Sequence, residues 1–140
     1  MVKVLITIVG LLSLTFGESI NRYFLVERVF LMPFVLKYSE EIGLSEDQLR
    51  RIKAYIRREE KKIERKKVIL NFLSRKVKIM MLEGRDEKEV RKLLSDIAYL
   101  KLEMSMMNAR CVRFLRTTLT QEQFERLKNI IVTRLFELQQ

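Results

Sequence analysis

The chain contains no histidine and no tryptophan, and its 140 residues include a single cysteine, Cys111. Without histidine, the protein lacks the commonest general base of enzymes and the commonest side-chain ligand of transition metals. One cysteine cannot form a disulfide within the chain. The sequence also has no nucleophile paired with a base and no glycine-rich phosphate loop. It therefore predicts a protein that is not an enzyme and that needs no cofactor.

Proline and glycine are also scarce, with one proline and four glycines in the whole chain. These residues form most turns, so their scarcity argues against a β-sheet fold. Lys, Arg, Glu, Leu and Ile, several of which are strong helix formers, are abundant instead. A length of 140 residues suits one domain with a modest core. We therefore expect an all-α domain.

The N-terminal segment, residues 1–17, has the layout of a secretory signal peptide. It reads MVKVLITIVGLLSLTFG, with one positive charge at Lys3 and an uncharged, largely apolar run over residues 4–17. The run is too short to cross a bilayer comfortably and ends in small residues that suit a cleavage site. We predict export, most simply to a bacterial periplasm, and a mature domain of residues 18–140. A buried N-terminal helix and an uncleaved anchor remain as alternatives.

Two six-residue segments share one pattern, LSEDQL at residues 44–49 and LTQEQF at residues 119–124. Ser or Thr at a helix N-cap accepts a hydrogen bond from the third helical residue, and Gln there reaches back to the cap, forming a capping box. Apolar residues on either side of the box can pack together as a hydrophobic staple. These roles fall on Leu44, Ser45, Gln48, Leu119, Thr120 and Gln123.

The capping signals and the apolar spacing predict four helices. A further start is expected at Asp86, with Glu89 as its box partner, and Gly43 and Gly84 suit the ends of the preceding helices. Apolar residues recur every three or four positions along the later three helices. The predicted helices cover about residues 21–42, 45–83, 86–118 and 120–138. Because the break near Gly84 is short, the two longest should form an antiparallel hairpin.

The excess positive charge of the chain lies on the second predicted helix. Residues 50–78 hold thirteen Lys and Arg against three Glu, which equals the net charge of +10 of the whole chain. Arg57, Lys61 and Arg65 are like charges four residues apart, and each such pair destabilises a helix by roughly 0.2–0.5 kcal/mol. Such a face is either a solvated surface or a docking surface for acidic groups or an anionic membrane. Nucleic acid is not expected, because export argues against it and no recognition motif is present.

Two copies of Leu-Ser/Thr-x-x-Gln in an exported helical chain resemble the LTxxQ family of Spy- and CpxP-like periplasmic proteins. The similarity covers roughly residues 40–138 by order of elements. The resemblance implies an antiparallel, cradle-shaped homodimer of bent helical hairpins that holds unfolded or partly folded proteins without ATP. CpxP-like members also act on an envelope-stress sensor kinase. It implies, too, that the six motif residues are structural and join helix starts.

The resemblance and the basic face together predict an ATP-independent chaperone or stress modulator for unfolded or misfolded proteins. The expected client-binding residues are Arg50, Arg57, Arg58, Lys61, Lys62, Arg65 and Lys66. The alternative is a regulatory adaptor of a sensor kinase or a metal-resistance system, with one tight partner. A third possibility is a structural dimer held at the membrane surface by an uncleaved N-terminus.

Soft-metal binding is the alternative interpretation of the segment MSMMNARC. Met104, Met107 and Cys111 share one face of the third predicted helix, and thioether and thiolate ligands suit Cu(I). The same residues fall on the stripe that should pack in the core, where Met fills gaps, so core packing is preferred. The histidine ligands expected of the distant, metal-linked relatives ZraP and CnrX have no counterpart here.

Two segments carry more apolar surface than a hairpin needs. Apolar residues between positions 68 and 81 spread over roughly 220° of the helix, so part of this arc should be left for a dimer seam, which we favour, or for a client. Residues 24–36 are apolar almost all round, and Pro33 either bends their helix or marks its true start. Burial is the simple interpretation; if the segment moves, Phe24, Phe30 and Phe34 are candidates for client binding.

Overall fold

A computed structural model describes residues 22–26, 28–29 and 31–138, without the side chains of residues 135, 136 and 138. The described residues form five helices and no strand, which confirms the predicted all-α fold. The helices are α1 (Met32–Lys37), α2 (Ser39–Ile42), α3 (Glu46–Leu82), α4 (Glu87–Thr118) and α5 (Gln121–Leu138). The predicted signal peptide and Phe30 lie outside the described residues.

The bounds of α3, α4 and α5 agree with the prediction to within one residue. The turn between α3 and α4 is a Schellman motif, in which the Arg85 N–H donates to the Met80 carbonyl at 3.0 Å and Gly84 has φ +68°. At the predicted start of α4, Asp86 Oδ1 accepts a long bond from the Lys88 N–H, at 3.4 Å. The two long helices pack together as an antiparallel pair, as predicted.

The prediction of a single helix over residues 21–42 is wrong. The described residues from 22 to 31 are not helical, and the helical part of the segment is divided into α1 and α2. Pro33 lies in the first turn of α1, where its missing N–H removes no helical hydrogen bond, so it marks a helix start. Upstream of it the backbone bonds to α4 side chains instead: Val29 N–H donates to Asn108 Oδ1 and Asn108 Nδ2 donates to the Val29 carbonyl, both at 3.0 Å.

The chain divides into two compact units. The described part of unit 1 comprises residues 22–26, 28 and 66–106. Its buried apolar side chains come from both long helices and from the N-terminal segment: Phe24, Leu70, Val77, Leu93, Ile97 and Met104. Tyr23 fixes the N-terminal segment to α3, because its hydroxyl donates to Asn71 Oδ1 at 3.3 Å and Lys67 Nζ lies 5.4 Å from the ring centroid.

The described part of unit 2 comprises residues 29, 31–65 and 107–138. Its core consists of Leu31, Val35, Ile42, Ile52, Leu115, Leu119, Phe124 and Leu127. The rings of Tyr55 on α3 and Phe114 on α4 stack beside this core with their centroids 4.0 Å apart. Among the helices of the described residues, none combines the length and the apolar composition that a membrane span requires.

Candidate functional site

Both sequence motifs form the capping boxes that their spacing predicts. At the start of α3, the Ser45 N–H donates to Gln48 Oε1 at 2.9 Å and the Gln48 N–H donates to Ser45 Oγ at 3.1 Å. At the start of α5, the Thr120 N–H donates to Gln123 Oε1 at 2.9 Å and the Gln123 N–H donates to Thr120 Oγ1 at 3.2 Å. Each box satisfies two backbone donors that the first helical turn leaves without a partner.

The two glutamines of the boxes also bind each other within unit 2. Gln48 Nε2 donates to Gln123 Oε1 at 2.8 Å, and Gln123 Nε2 donates to Gln48 Oε1 at 3.0 Å. The second N–H of each amide donates to the carbonyl of a residue at a helix end, Thr118 for Gln48 and Gly43 for Gln123, at 3.0 and 2.7 Å. Both amides thus use two donors and two acceptor positions, which is their full capacity.

The apolar residues of the motifs anchor this amide pair in the core of unit 2. Leu119 and Phe124 are buried members of that core, and Leu44 packs against it. The four helix ends that meet here are therefore held by two saturated amides and by apolar packing. The motif residues are structural, and they fix the first turns of α3, which precede its basic residues.

The basic surface of unit 2, defined as Arg57, Arg58, Lys61, Lys62 and Arg65, lies on the outer side of α3. All five side chains are exposed. Together with Ala54 they line an open depression of about 450 Å³. The helical spacing brings them together, since residues three and four apart lie on one face. Five of the seven residues predicted to contact clients therefore form one continuous surface.

Ion pairs leave part of the basic surface uncompensated. Glu59 Oε1 lies 3.2 Å from Lys62 Nζ and 3.5 Å from Arg58 Nε, so this carboxylate neutralises one side of the surface. Among the described residues, no carboxylate forms an ion pair with Arg57, Lys61 or Arg65. These three cations project into solvent, and their positive potential is available to an anionic partner.

The other two predicted contact residues do not belong to this surface. Arg50 forms an ion pair with Asp47 in the first turn of α3. Lys66 is half-buried and belongs to unit 1. Arg50 lies about two helical turns before Arg57 and is paired with Asp47, and the partial burial of Lys66 depends on what packs against its helix. Helical spacing alone shows neither the ion pair nor the burial.

Tyr55 is a residue of this region that the sequence analysis does not identify. Its ring stacks on Phe114, and the Arg58 guanidinium carbon lies 5.3 Å from the ring centroid. Burial raises the pKa of the Tyr55 phenol, and charge repulsion from the side chains of Cys111 and Glu59 raises it further. The stacked Tyr55 ring thus supports Arg58 at one edge of the basic surface. The sequence does not indicate this role of Tyr55, because Phe114 is distant in the chain.

Unit 1 has a different exposed surface, here named the apolar stripe: Val68, Phe72, Ile79 and Leu82 on α3. Arg75 occupies the same outer side of the helix. Of the other apolar residues in the predicted surplus arc, Leu70 and Val77 are buried in the core. The apolar side chains that the sequence predicts to exceed the needs of the hairpin are therefore exposed on the surface of unit 1. A second exposed set, Tyr99, Leu102 and Met106, lies on α4.

The residues considered for soft-metal binding are largely packed in the cores. Met104 is fully buried in unit 1, Met107 is buried in unit 2, and Cys111 is half-buried in unit 2. Of the aromatic client-binding candidates, Phe24 is buried and Phe34 is half-buried against the core of unit 2. Within the described residues, His, Cys, Asp and Glu form no group of three or more that could hold a metal ion.

No protein-family model, curated protein or solved structure matches this chain. The functional conclusion therefore depends on three features of the described residues. They are the basic surface and the pair of glutamines, which bear on the proposed function, and the apolar stripe, which bears on a separate inference.

Proposed function

We propose that the protein is a periplasmic, ATP-independent chaperone or envelope-stress modulator that captures unfolded and partly folded proteins on its basic surface. The observation that carries this proposal is the row of exposed cations Arg57, Lys61 and Arg65, which form no ion pair with any carboxylate in the described part of the chain. Like charges at this spacing destabilise the helix that bears them. A function that requires an anionic partner explains why they occur together.

The form of the surface suits flexible chains better than a small ligand. The depression among the basic residues is open and lies on the outside of one helix. Long Lys and Arg stems cover apolar groups of a client while their charged ends meet its carboxylates. An unfolded chain can adjust its carboxylates to the spacing of the cations, whereas a folded protein holds them fixed. Capture of this kind is rapid, weak and sensitive to salt.

The joined motifs support the same proposal. In an LTxxQ-like protein, two boxes with paired glutamines would set the ends of the helices on which clients are held. Here Gln48 and Gln123 fix the start of α3, and Arg57 follows nine positions after Gln48 on the same helix. A rigid support lets weak contacts act together, because the helix that bears the cations need not be ordered when a client binds.

The test is the suppression of client aggregation, followed by light scattering at low salt with an acidic client. The chain with Arg57→Glu, Lys61→Glu and Arg65→Glu should lose most of the suppression that the unchanged chain gives. The matched control carries Arg75→Glu, Lys76→Glu and Lys78→Glu, an equal change of charge further along α3, and should retain it. Equal loss in both variants, or no suppression at several-fold molar excess, would contradict the proposal.

Three further measurements separate the proposal from its alternatives. Capture of one stoichiometric partner from an envelope fraction, with no effect on aggregation, would favour the regulatory adaptor. Mass spectrometry of the natural N-terminus tests export, since a chain that starts at Glu18 has lost its signal peptide. Light scattering coupled to size exclusion tests the homodimer that the resemblance implies.

A further inference from the structure

We propose that the apolar stripe of unit 1 docks on the surface of a bilayer that contains anionic phospholipid. This inference does not depend on the proposed function, because the stripe and the basic surface consist of different residues in different units. It assigns a partner to an exposed apolar side of α3.

The stripe consists of large apolar side chains that the fold leaves in solvent. The exposed fractions are 67% for Val68, 63% for Phe72, 54% for Ile79 and 88% for Leu82. Their spacing of four, seven and three residues places them within an arc of roughly 80° on the outer side of α3. A helix with a narrow apolar side and basic residues around it can lie in the plane of a membrane interface.

The charge around the stripe selects an anionic partner. Between residues 66 and 82 there are five Lys and Arg and no Asp or Glu. Arg75 interrupts the stripe, and Lys76 and Lys78 lie on its two flanks; all three are exposed. Cations that flank an apolar side can extend toward lipid phosphates while the apolar side chains enter the headgroup region. Apolar contact and charge attraction thus act on the same partner.

The same charges argue against a second copy of this chain as the occupant, although a dimer seam is favoured from the sequence. If the stripe paired with itself around a two-fold axis near its middle, the cluster of Arg75, Lys76 and Lys78 would lie against the same cluster of the second copy. The segment has no carboxylate that could compensate them. Like charges opposite each other oppose association, whereas an anionic lipid surface neutralises them.

The experiment is co-sedimentation of the full chain with vesicles, at low salt. One set of vesicles contains equal parts of phosphatidylglycerol and phosphatidylcholine, and the other contains phosphatidylcholine only. The full chain should bind the anionic vesicles and bind the neutral ones at least about tenfold more weakly. Residues 1–17 are present in every variant, so differences between variants report on the stripe and not on that segment.

Two variants test the two components of the stripe. Replacement of Phe72→Ser with Ile79→Ser removes apolar contact, and Arg75→Gln with Lys76→Gln and Lys78→Gln removes charge. Each variant should bind anionic vesicles more weakly than the unchanged chain. The charge variant should lose on the order of a hundredfold in affinity, because each cation near such a surface raises the affinity several-fold. Because all five side chains are exposed, circular dichroism should show unchanged helix content.

The control variant is Tyr99→Ser with Leu102→Ser, which removes exposed apolar residues from α4 of the same unit. It should bind anionic vesicles as the unchanged chain does. Equal binding by all variants would overturn the proposal. So would a dimer in solution that becomes a monomer on Phe72→Ser with Ile79→Ser, because a second copy would then cover the stripe. Binding of the stripe to an acidic peptide but not to vesicles would also overturn it.

Discussion

Gln48 and Gln123 lie 75 residues apart in the chain, and their side-chain amides bind each other through two hydrogen bonds of 2.8 and 3.0 Å. Each amide also completes the capping box of its own helix and caps the end of another helix. The repeated motif is therefore one structural device whose halves meet in space. An amide can take this place because it has two donors and an acceptor oxygen with two lone pairs.

The first prediction concerns Gln123→Glu. A carboxylate still accepts the Thr120 N–H of the capping box, but it cannot donate to Gln48 or to the Gly43 carbonyl. We expect the free energy of unfolding, measured in urea, to fall by about 2 kcal/mol, since two hydrogen bonds are lost and acceptors are left facing each other. Gln121→Glu, the same chemical change at an exposed position of the same helix, is the control. A loss no larger than the control's would show that the pair adds little to stability.

The second prediction compares two glycines with left-handed backbone. Gly43 has φ +82° and Gly84 has φ +68°, and each ends a helix. A Cβ at Gly43 would lie 3.4 Å from Arg126 Nη1, the end of a flexible side chain, and a Cβ at Gly84 would meet nothing within 4 Å. Gly43→Ala and Gly84→Ala should therefore each lower the free energy of unfolding by a similar amount, about 1–2 kcal/mol, because a side chain disfavours the left-handed backbone. Thermal denaturation measures both, and a much greater loss at Gly43 would indicate a steric conflict there.

The third prediction concerns the attachment of the N-terminal segment to α4. Asn108 bonds both backbone groups of Val29, at 3.0 Å each. In Asn108→Asp the donor is lost and a carboxylate faces the Val29 carbonyl, so this attachment should open. Trypsin should then cleave after Arg28 faster than in the unchanged chain, while the helix content stays the same. Asn129→Asp, an exposed change on α5, should leave the cleavage rate unaltered; equal rates in all three chains would contradict the prediction.

The fourth prediction links the basic surface to stability. Lys61 lies four residues from both Arg57 and Arg65, and none of the three has an ion-pair partner among the described residues. Lys61→Gln should raise the free energy of unfolding by about 0.5 kcal/mol at low salt, because two repulsive pairs are removed. The gain should shrink as salt rises. Urea denaturation at two salt concentrations measures it. The control is Lys76→Gln on the same helix, because Lys76 is exposed and has no like charge three or four residues away. A gain that does not respond to salt would exclude charge repulsion as its cause.

The fifth prediction concerns pH. Burial raises the pKa of Tyr55 in the folded protein, so the phenol keeps its proton there at a pH where the unfolded chain loses it. The contribution of this pKa shift to the stability of the folded protein is complete below the usual tyrosine pKa of about 10. It is lost as the pH rises through the raised pKa of the folded state. The chain should therefore lose stability above this pH more steeply than Tyr55→Phe does. Absorbance titration should show a late-ionising component that the variant lacks, and identical pH profiles would contradict the prediction.

The sequence by itself determined the local structure of most of the chain. Apolar spacing and the capping residues Ser45 and Thr120 set α3, α4 and α5 to within one residue, because helix periods and caps are properties of short segments. The charge of residues 50–78 and the surplus of apolar residues after position 68 were visible for the same reason. Helical spacing alone also placed five of the predicted contact residues on one side of α3.

The tertiary structure decided what depends on partners distant in the chain. The segment before Met32 is apolar enough for a helix, but its backbone groups bond to Ser105 and Asn108, and no local pattern specifies those partners. The pairing of Gln48 with Gln123 joins two motifs that each look complete alone. Burial, too, separates Lys66 from the basic surface, since a residue's exposure depends on what packs against its helix and not on its own spacing.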